Sequence, residues 1–353
     1  MAQRTVLITG FPGFLAGRLV PRLVARGDRV VALVEPRMAE RARSLAPAGV
    51  EVQPGDITDP RLGLDDATYD RLAGEVTEVH HLAAVYDLAV GQELAERVNV
   101  LGTQHVVDFT RRAPRLERHH YVSTAYVAGL RSGLVCEDEL AAGQEFKNFY
   151  ESTKFAAEVV VRVAMDDVPT TIYRPAIVVG DSRTGETQKF DGPYYMLRTI
   201  IASKGPLPQI GSDHALFNVV PVDFVVDAID ACIGNPEAEG RTLHLVDPEP
   251  ISSAEVFRLL AKAWDGRTPS IKVPLGVLDR SLKYRAVREF YGGTPRESLR
   301  YLNHPVRFDV TNAAAVLGGA GLRCPRFPEY VDAMVGFFRE HCTDPAYRPV
   351  RSG

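Results

Sequence analysis

The sequence has few cysteines and no long hydrophobic run. Its 353 residues contain four cysteines, none of them in a CxxC pair, which argues against a disulfide scaffold and against a zinc site. No segment approaches the roughly 18 consecutive apolar residues of a membrane span. The apolar start at residues 6–16 is interrupted by glycine and proline, and no cleavage pattern follows it, unlike in a signal peptide. We therefore expect a cytoplasmic protein with no integral membrane contact.

An excess of charge of one sign is also missing. The chain carries 41 Lys and Arg against 45 Asp and Glu, a net charge of −4, with no long run of either sign. This balance leaves no electrostatic footprint for a polyanion, so we expect no nucleic acid partner. The histidines His80 and His81, and likewise His119 and His120, are neighbours on predicted strands and point to opposite faces. Because neither pair can chelate one ion, we predict no metal site.

What the sequence does have, over its first 180 residues, is an alternation of short β-branched runs with helical patterns. Strands are predicted at residues 5–9, 29–34, 50–53, 76–82, 120–124 and 170–173, with helices between them. This order is typical of an α/β fold with a doubly wound, parallel Rossmann sheet. After Gly180 the composition turns polar and then aromatic. We therefore predict a Rossmann domain from residues 1–180 and 217–246. A smaller, mostly helical substrate cap, discontinuous in sequence, would come from 181–216 and 247–353.

The first predicted strand runs directly into a glycine turn that opens a helix. Gly10 permits a tight turn, Gly13 allows the backbone to approach a pyrophosphate, and the small Ala16 lets the helix pack closely on the strand. The free N–H groups at the helix start then face the phosphates. A plain strand-to-helix turn is the competing interpretation, but the position at the start of a βαβ pattern favours a dinucleotide site. The site is predicted to include the flanking residues Phe11, Phe14 and Leu15.

Two carboxylates follow the next strands. Glu35 ends the second strand, where it can accept hydrogen bonds from both ribose hydroxyls and repel a 2′-phosphate, which favours NAD(H). Arg37 can swing in and offset that repulsion, so NADP(H) stays the alternative cofactor. Asp56 and Ile57 follow the third strand and are expected at the adenine. The competing interpretations are an exposed helix start for Glu35 and a simple Asp turn for Asp56.

The run Tyr-Glu-Ser-Thr-Lys at residues 150–154 places a phenol and an ammonium on one helix face, because residues i and i+4 are neighbours there. An adjacent cation favours the phenolate and lowers the pKa of a tyrosine, which makes Tyr150 a usable proton donor to a carbonyl oxygen. Such a pair often occurs by chance. Here it follows the fifth strand of a dinucleotide-binding sheet, and the hydroxyls of Ser123 and Thr124 end that strand. Together these residues indicate a site for carbonyl chemistry.

In this order, the glycine turn, the Ser-Thr strand end and the Tyr-x-x-x-Lys pair resemble the extended short-chain dehydrogenase/reductases, over nearly the whole chain. Further motifs agree: His-Leu-Ala-Ala at 81–84, Asn-Val-Leu-Gly-Thr at 99–103 and Tyr-Arg-Pro-Ala-Ile-Val-Val-Gly at 173–180. The resemblance implies a catalytic triad of Thr124, Tyr150 and Lys154, in which Thr124 polarises the substrate oxygen and Lys154 also holds the nicotinamide ribose. It further implies cofactor contacts by Leu82, Ala83, Ala84, Asn99, Pro175 and Ile177. A homodimer is compatible with it.

The segments at 85–87, 180–187, 189–195 and 218–223 resemble, more narrowly, the bacterial fatty acyl-CoA and thioester reductase domains of the male-sterility type. This resemblance implies an NAD(P)H-dependent reductase that transfers hydride to an acyl thioester or ketone carbonyl of a hydrophobic substrate. It places Tyr86, Thr124, Tyr194 and Tyr195 at the substrate, although simple packing competes for the two cap tyrosines. Such reductases commonly use NADPH, against which Glu35 argues. The alternatives are a nucleotide-sugar epimerase or dehydratase, and a redox-silent dinucleotide-binding sensor.

Overall fold

A seven-stranded parallel sheet forms the centre of the protein. The computed structural model describes residues 3–86, 90–272, 280 and 296–348. Its strands, in chain order, are β1 Thr5–Thr9, β2 Arg29–Val34, β3 Glu51–Pro54, β4 Glu78–His81, β5 Arg118–Val122, β6 Gly133–Val135, β7 Thr170–Pro175, β8 Ile177–Val179, β9 Pro208–Gln209, β10 Val219–Pro221, β11 Thr242–Leu245, β12 Ile271–Lys272 and β13 Val306–Phe308. The central sheet has the order β11-β7-β5-β4-β1-β2-β3, and the other six strands form three parallel pairs. The order reverses between β1 and β4, the kind of point at which open α/β sheets bind ligands.

Helices cover both faces of this sheet. They are α1 Phe14–Ala25, α2 Ala39–Leu45, α3 Asp66–Glu75, α4 Gln92–Ala95, α5 Gly102–Arg112, α6 Phe149–Ala164, α7 Tyr194–Ala202, α8 Val222–Cys232, α9 Ser253–Asp265, α10 Thr311–Gly318 and α11 Phe327–His341, with a π-helical turn, Glu96–Leu101, between α4 and α5. Short 3-10 turns lie at Pro36–Met38, Pro60–Gly63, Ala125–Ala128, Pro236–Ala238, Arg296–Asn303 and Pro345–Tyr347. Val6, Leu7 and Ile8 of β1 are fully buried, as a strand covered on both faces requires.

The hydrophobic residues fall into separate core clusters. On one face, α1 and α8 pack against the sheet, while α3, α5 and α6 cover the other. A further cluster is built from α7, α9 and α11, with Phe190 and Phe338 among its fully buried residues. Val306 and Leu317 belong to the sheet cluster, although both lie in the range predicted for the cap. The division of the chain into two domains stays a prediction.

The predicted strands and helices are found in the predicted order, with shifts at their ends. β1 and β2 have the predicted bounds, whereas β5 begins and ends two residues earlier than predicted. Its end moves because Thr124 caps the following 3-10 turn, where its hydroxyl accepts a hydrogen bond from the Tyr126 N–H at 3.3 Å. The helix predicted from residue 10 begins at Phe14, since the preceding residues form the glycine turn. In the part of the chain that the structure describes, no helix combines the length and apolarity that crossing a membrane requires.

Candidate active site

A cavity of about 1150 Å³ opens along the carboxyl ends of the central strands. It runs from the glycine turn and the end of β2, past β4 and β5, to α7 and the 3-10 turn at Arg296–Asn303. The predicted site residues that line it are Gly10, Phe11, Gly13, Phe14, Leu15, Glu35, Arg37, Asp56, Ile57, Leu82, Ala83, Ala84, Tyr86, Thr124, Tyr150, Lys154, Pro175, Ile177 and Tyr195. Asn99 and Tyr194 do not line it. One cavity therefore joins both ends of the predicted dinucleotide site to the predicted catalytic residues.

The glycine turn at one end has no room for side chains. Gly10 has φ +89°, and a Cβ built on it would lie 2.8 Å from the backbone nitrogen of Ala83. A Cβ on Gly13 would lie 2.6 Å from the carbonyl oxygen of Gly10, which accepts a hydrogen bond from the Gly13 N–H at 2.7 Å. No side chain caps α1, so the N–H groups of its first turn are left for a ligand. The turn thus has the shape and the donors that a pyrophosphate requires.

Charged residues surround the predicted adenosine end. Glu35 follows β2 and forms an ion pair with Arg37, the carboxylate lying 2.5 Å from Nε. Arg41, which the sequence pattern did not single out, lines the same part of the cavity. Asp56 accepts a hydrogen bond from the Thr58 N–H at 2.8 Å, so its carboxylate both forms the Asp turn and borders the cavity. This end can hold ribose hydroxyls at Glu35, and its two guanidinium groups also give it cationic character.

Asn99, predicted as a cofactor contact, lies behind the cavity wall rather than on it. Its side chain is buried in the π-helical turn, where the carbonyl oxygen accepts the Val85 N–H at 2.9 Å and the amide donates to Thr153 Oγ1 at 3.0 Å. Asn99 therefore ties the loop after β4 to α6. Sequence reasoning missed this because the face that a helical residue presents depends on how the π-turn rotates it.

Tyr150 and Thr124 meet in the middle of the cavity. Asn148 caps α6 by accepting the Glu151 N–H at 3.0 Å, which fixes the start of the helix and the position of Tyr150 in its first turn. Thr124 lines the cavity with Tyr150, and the Thr124 hydroxyl donates to the carbonyl of Pro175 at 3.4 Å. Burial raises the pKa of Tyr150 above its ordinary value, and the nearby Thr124 hydroxyl only partly offsets this effect. Tyr150 is therefore held as a neutral proton donor beside a second hydroxyl.

Lys154 contacts the end of β5. Its ammonium donates to the hydroxyl of Tyr121 at 2.9 Å and to the carbonyl of Val122 at 2.7 Å. Burial lowers the pKa of Lys154 to about 7, against the opposing attraction of the Glu158 carboxylate. The i,i+4 spacing predicted an ammonium beside the Tyr150 phenol, but the strongest hydrogen bonds of Lys154 go to the strand instead. The effect of Lys154 on the pKa of Tyr150 stays a prediction.

The neighbouring hydroxyls of Ser123 and Thr124 serve different partners. Ser123 donates to the buried carboxylate of Glu158 at 2.6 Å, whereas Thr124 donates to the carbonyl of Pro175 at 3.4 Å and lines the cavity beside Tyr150. Burial acts to raise the pKa of Glu158, but Arg174, which bonds it at 2.6 Å, and Arg162 outweigh this effect, so the pKa is lowered. The carboxylate therefore stays ionised behind the site. This arrangement supports Thr124, rather than Ser123, as the residue facing a substrate oxygen.

The far end of the cavity is aromatic. The rings of Tyr86 and Tyr150 pack edge to face with centroids 5.0 Å apart, and the Lys189 ammonium lies over Tyr86 at 4.5 Å. Lys189 is paired with Asp191 at 2.8 Å. Further lining residues that the sequence pattern did not assign to the site include Tyr126, Thr199, Ile210, Phe217, Tyr301 and Leu302. Sequence alone offers no signal for them, since they come from segments that are far apart along the chain.

Tyr194, predicted at the substrate, packs into the core formed by α7, α9 and α11. It is 1% exposed, its ring lies 5.0 Å from that of Phe190, and its hydroxyl accepts the Gly180 N–H at 3.3 Å. Tyr195, the next residue on α7, faces the cavity. Adjacent helical residues point about 100° apart, so Tyr194 can face the core while Tyr195 faces the cavity.

Three buried side chains meet across β4 and β5, which the sequence argument about metals did not consider. The register pairs His80 with His120, and Glu78 Oε2 lies 3.2 and 3.8 Å from their Nε2 atoms. The two imidazole rings are stacked, with centroids 4.2 Å apart and planes 13° from parallel. An imidazole nitrogen binds a metal within its ring plane, so one ion cannot satisfy both stacked rings as they stand. The trio is therefore a polar cluster in the core and does not have the geometry of a preformed metal centre.

Comparisons with known proteins show the family to which the chain is similar. The family described as Male sterility protein, an NAD-binding family, matches residues 8–229. The terminal R domain from the myxalamid PKS-NRPS biosynthetic pathway has a TM-score of 0.83 at 26% identity, over 98% of this chain and 93% of that one. UDP-glucuronic acid 4-epimerase from Bacillus cereus has a TM-score of 0.67 at 16% identity, over 95% and 99% of the two chains, a likeness of fold alone.

The curated relatives are longer proteins. A component of linear gramicidin synthase from Brevibacillus parabrevis is 29% identical over 203 residues, which is 55% of this chain and 4% of that protein. Carboxylic acid reductase from Segniliparus rugosus is 29% identical over 269 residues, 64% of this chain and 22% of that protein. The family match covers more than half of the chain, including the glycine turn and the Tyr-x-x-x-Lys pair. The chain therefore belongs to the male sterility family of NAD-binding proteins, within the extended short-chain dehydrogenase/reductases.

Proposed function

We propose that the chain reduces the carbonyl of an acyl thioester, or of a hydrophobic ketone, with Tyr150 as the proton donor. The observation that carries this proposal is that the hydroxyls of Tyr150 and Thr124 line one cavity that begins at the glycine turn. Two hydroxyls that meet there can share one substrate oxygen. Lys154, on the same helix, lies within the same cavity.

In this mechanism, the reduced dinucleotide supplies the hydride when it is bound. Thr124 donates a hydrogen bond to the carbonyl oxygen of the substrate, and Tyr150 transfers its hydroxyl proton to that oxygen as the carbonyl carbon accepts the hydride. The charged Lys154 restores the proton of Tyr150. With a thioester, the resulting hemithioacetal then loses its thiol, so that the carbon–sulfur bond breaks and an aldehyde is released. With a ketone, the product is the alcohol.

The lining of the cavity supports a hydrophobic substrate. Beyond Tyr150, the walls are made of tyrosines together with Met196, Ile210, Phe217 and Leu302. Ligand sites of this kind bury apolar groups and use a few polar groups for orientation. The sugar diphosphate of an epimerase substrate calls for cations to pair with, and Lys189 at this end is already paired with Asp191. A redox-silent sensor, the other alternative, has no need of the Tyr150 and Thr124 hydroxyls.

We further propose NADH as the preferred reductant, with NADPH as the weaker one. Support comes from Glu35, whose carboxylate stands at the adenosine end of the cavity and would repel a 2′-phosphate. Its ion pair with Arg37 neutralises part of that repulsion, and Arg41 adds a second cation nearby. The discrimination between the two cofactors is therefore expected to be modest.

The experiment is a screen of NADH oxidation with long-chain acyl-CoAs, aromatic and quinone ketones, and nucleotide sugars, with products identified by mass spectrometry. We expect turnover with an acyl thioester or a ketone, and the product masses distinguish an aldehyde from an alcohol. Activity confined to nucleotide sugars without net consumption of NADH would refute the reductase proposal. The absence of turnover with every substrate, despite measurable NADH binding, would favour the sensor.

Variants test the role of Tyr150. Tyr150→Phe is expected to lower kcat by about 100-fold or more, because it removes the general acid. Tyr69→Phe is the matched control, since Tyr69 is also buried but packs against Phe109 in α5, away from the cavity. Full turnover by Tyr150→Phe would show that another group supplies the proton.

A further inference from the structure

Tyr121, whose hydroxyl accepts a hydrogen bond from the Lys154 ammonium, belongs to a buried line of polar side chains. Lys154 donates to the Tyr121 hydroxyl at 2.9 Å, and that hydroxyl lies close to the hydroxyl of Thr103 on α5. Thr103 Oγ1 lies 3.0 Å from Nε2 of His81, whose Nδ1 lies 2.7 Å from Thr9 Oγ1 at the end of β1. All five side chains are at most 2% exposed. The line therefore crosses the sheet interior from the catalytic helix to the strand before the glycine turn.

The other partners of these groups fix the direction of each hydrogen bond. Thr103 donates its only hydroxyl proton to the carbonyl of Asn99 at 2.6 Å, so its oxygen accepts from His81 and can only be an acceptor for the nearby Tyr121 hydroxyl. His81 then carries its proton on Nε2, and its Nδ1 accepts from Thr9. Burial, together with the nearby Lys154 charge, lowers the pKa of His81 well below its ordinary value, which keeps the ring neutral. The Tyr121 oxygen, having given its proton to Thr103, is left as an acceptor for Lys154.

We propose that Tyr121 is a positioning residue of the reaction: Thr103 and His81 orient its hydroxyl so that the oxygen holds the Lys154 ammonium and favours its charged form. The proposal rests on the proposed function, because Lys154 matters only if the protein transfers a proton through Tyr150. The side chains of Tyr121, Thr103 and His81 all lie outside the cavity lining, so none of them touches a substrate directly.

The charge state of Lys154 is set by few groups. The ionisable side chains that face it are Glu158 on its own helix, Tyr121 on β5 and His81 on β4, and Tyr150 lies one turn before it. Burial lowers the pKa of Lys154 to about 7, so the ammonium is close to losing its proton at neutral pH. Removing the Tyr121 oxygen takes away a hydrogen bond that only stabilises the charged form, and we expect the pKa to fall by about one further unit.

The test compares two tyrosines that are equally buried. Tyr121→Phe keeps the ring on which the ammonium packs, with 4.5 Å from Nζ to the centroid, and removes only the hydroxyl. Tyr173→Phe on the adjacent strand β7 is the matched control, because its hydroxyl bonds to His120 at 2.8 Å and not to Lys154. The readout is the titration of Lys154 by NMR in the full chain, with carbon-13 at the lysine Cε atoms and Lys154→Arg to assign the signal. This measurement needs neither cofactor nor substrate.

We expect the titration midpoint of Lys154 to fall by about one unit in Tyr121→Phe and to stay at its wild-type value in Tyr173→Phe. Thr103→Val, which removes the acceptor of the Tyr121 proton, should lower it as well, while Thr103→Ser should restore it. If Tyr121→Phe fails to fold, Thr103→Val and Thr103→Ser test the proposal in its place. An unchanged midpoint in Tyr121→Phe, or in Thr103→Val where that variant has to replace it, would overturn the proposal.

Turnover gives a second readout. Reduction needs the charged Lys154, so kcat should fall as the pH rises through the Lys154 midpoint, and in Tyr121→Phe this decline should move to lower pH with KM little changed. A shifted NMR midpoint without a shifted kcat profile would refute the role in the reaction while leaving the contact itself intact. If no acyl thioester or ketone is turned over at all, the proposed function fails, and the titration still decides whether Tyr121 stabilises the charge.

Discussion

Replacing Gly10 by alanine tests whether the glycine turn is shaped by the strand beside it. Gly10 combines φ +89° with a position where a Cβ would lie 2.8 Å from the backbone nitrogen of Ala83. Ala83 follows β4, and its N–H donates to the hydroxyl of Thr9 at 3.2 Å. A methyl group at Gly10 therefore cannot be accommodated by turning a side chain, because backbone atoms occupy the space.

Three contributions set the expected change in the free energy of unfolding. A left-handed conformation costs an alanine about 1–2 kcal/mol, and forcing the backbone of Ala83 away costs about 1–3 kcal/mol more. The lower entropy of the unfolded chain returns about 0.4–1 kcal/mol. The free energy of unfolding of Gly10→Ala should thus fall by about 1–5 kcal/mol. Since the turn also approaches the pyrophosphate, we expect the Kd for NADH to rise by about 10-fold or more.

Gly27→Ala is the matched control, at the opposite end of α1. Gly27 has φ +83°, but nothing lies within 4 Å of its added Cβ, so this variant measures the conformational cost alone. Urea unfolding gives the stability of both variants, and fluorescence titration gives their affinity for NADH. The reasoning is wrong if Gly10→Ala loses no more stability than Gly27→Ala and binds NADH as tightly as the wild type.

Three further predictions concern the cofactor, the buried charges and the pH. Glu35→Arg should shift the ratio of kcat/KM toward NADPH by about 10-fold or more, since it replaces a repelling carboxylate by a cation; equal discrimination in steady-state kinetics would remove Glu35 from the site. Arg174→Met should lower the free energy of unfolding by about 3–5 kcal/mol in urea, because it leaves the buried Glu158 without its closest cation; wild-type stability would show that Arg162 suffices. Burial lowers the pKa of His119 and of His244 to about 3. Below about pH 6.5, both histidines are therefore protonated in the unfolded chain but stay neutral in the folded protein. Stability should therefore fall as the pH decreases from about 6.5 toward 3, by about 1.4 kcal/mol per pH unit for each histidine, and urea midpoints that stay flat between pH 7 and 5 would contradict this.

Much of the fold could be read from neighbours along the chain. The bounds of β1 and β2 were predicted correctly because each is a continuous β-branched run that ends at a glycine or a polar residue. The glycine turn was recognisable because its geometry is local: φ at Gly10 and the space at Gly13 concern residues three apart. The ends of β4 and β5 were less predictable, since a strand end is fixed by the hydrogen bonds that neighbouring strands offer.

In the candidate site, too, features that depend on local spacing could be predicted, and features that depend on packing could not. The i,i+4 spacing was enough to place Tyr150 and Lys154 on one face of α6, and both line the cavity. The same spacing did not show that the Lys154 ammonium bonds to Tyr121, since that contact depends on how α6 lies against β5. Ser123 and Thr124 are adjacent in sequence, yet only the packing of Glu158 beneath the strand separates their partners.

The sequence by itself determined the order of the elements, the glycine turn and the residue types of the catalytic group, because these follow from spacing and from the conformational limits of single residues. Only the tertiary structure decided which side chains reach the cavity. It turned Asn99 and Tyr194 away from the cavity, stacked His80 on His120, and linked Thr9 to Lys154 through three other side chains. The physical reason is that these contacts depend on strand register and helix rotation, which are set by segments remote along the chain.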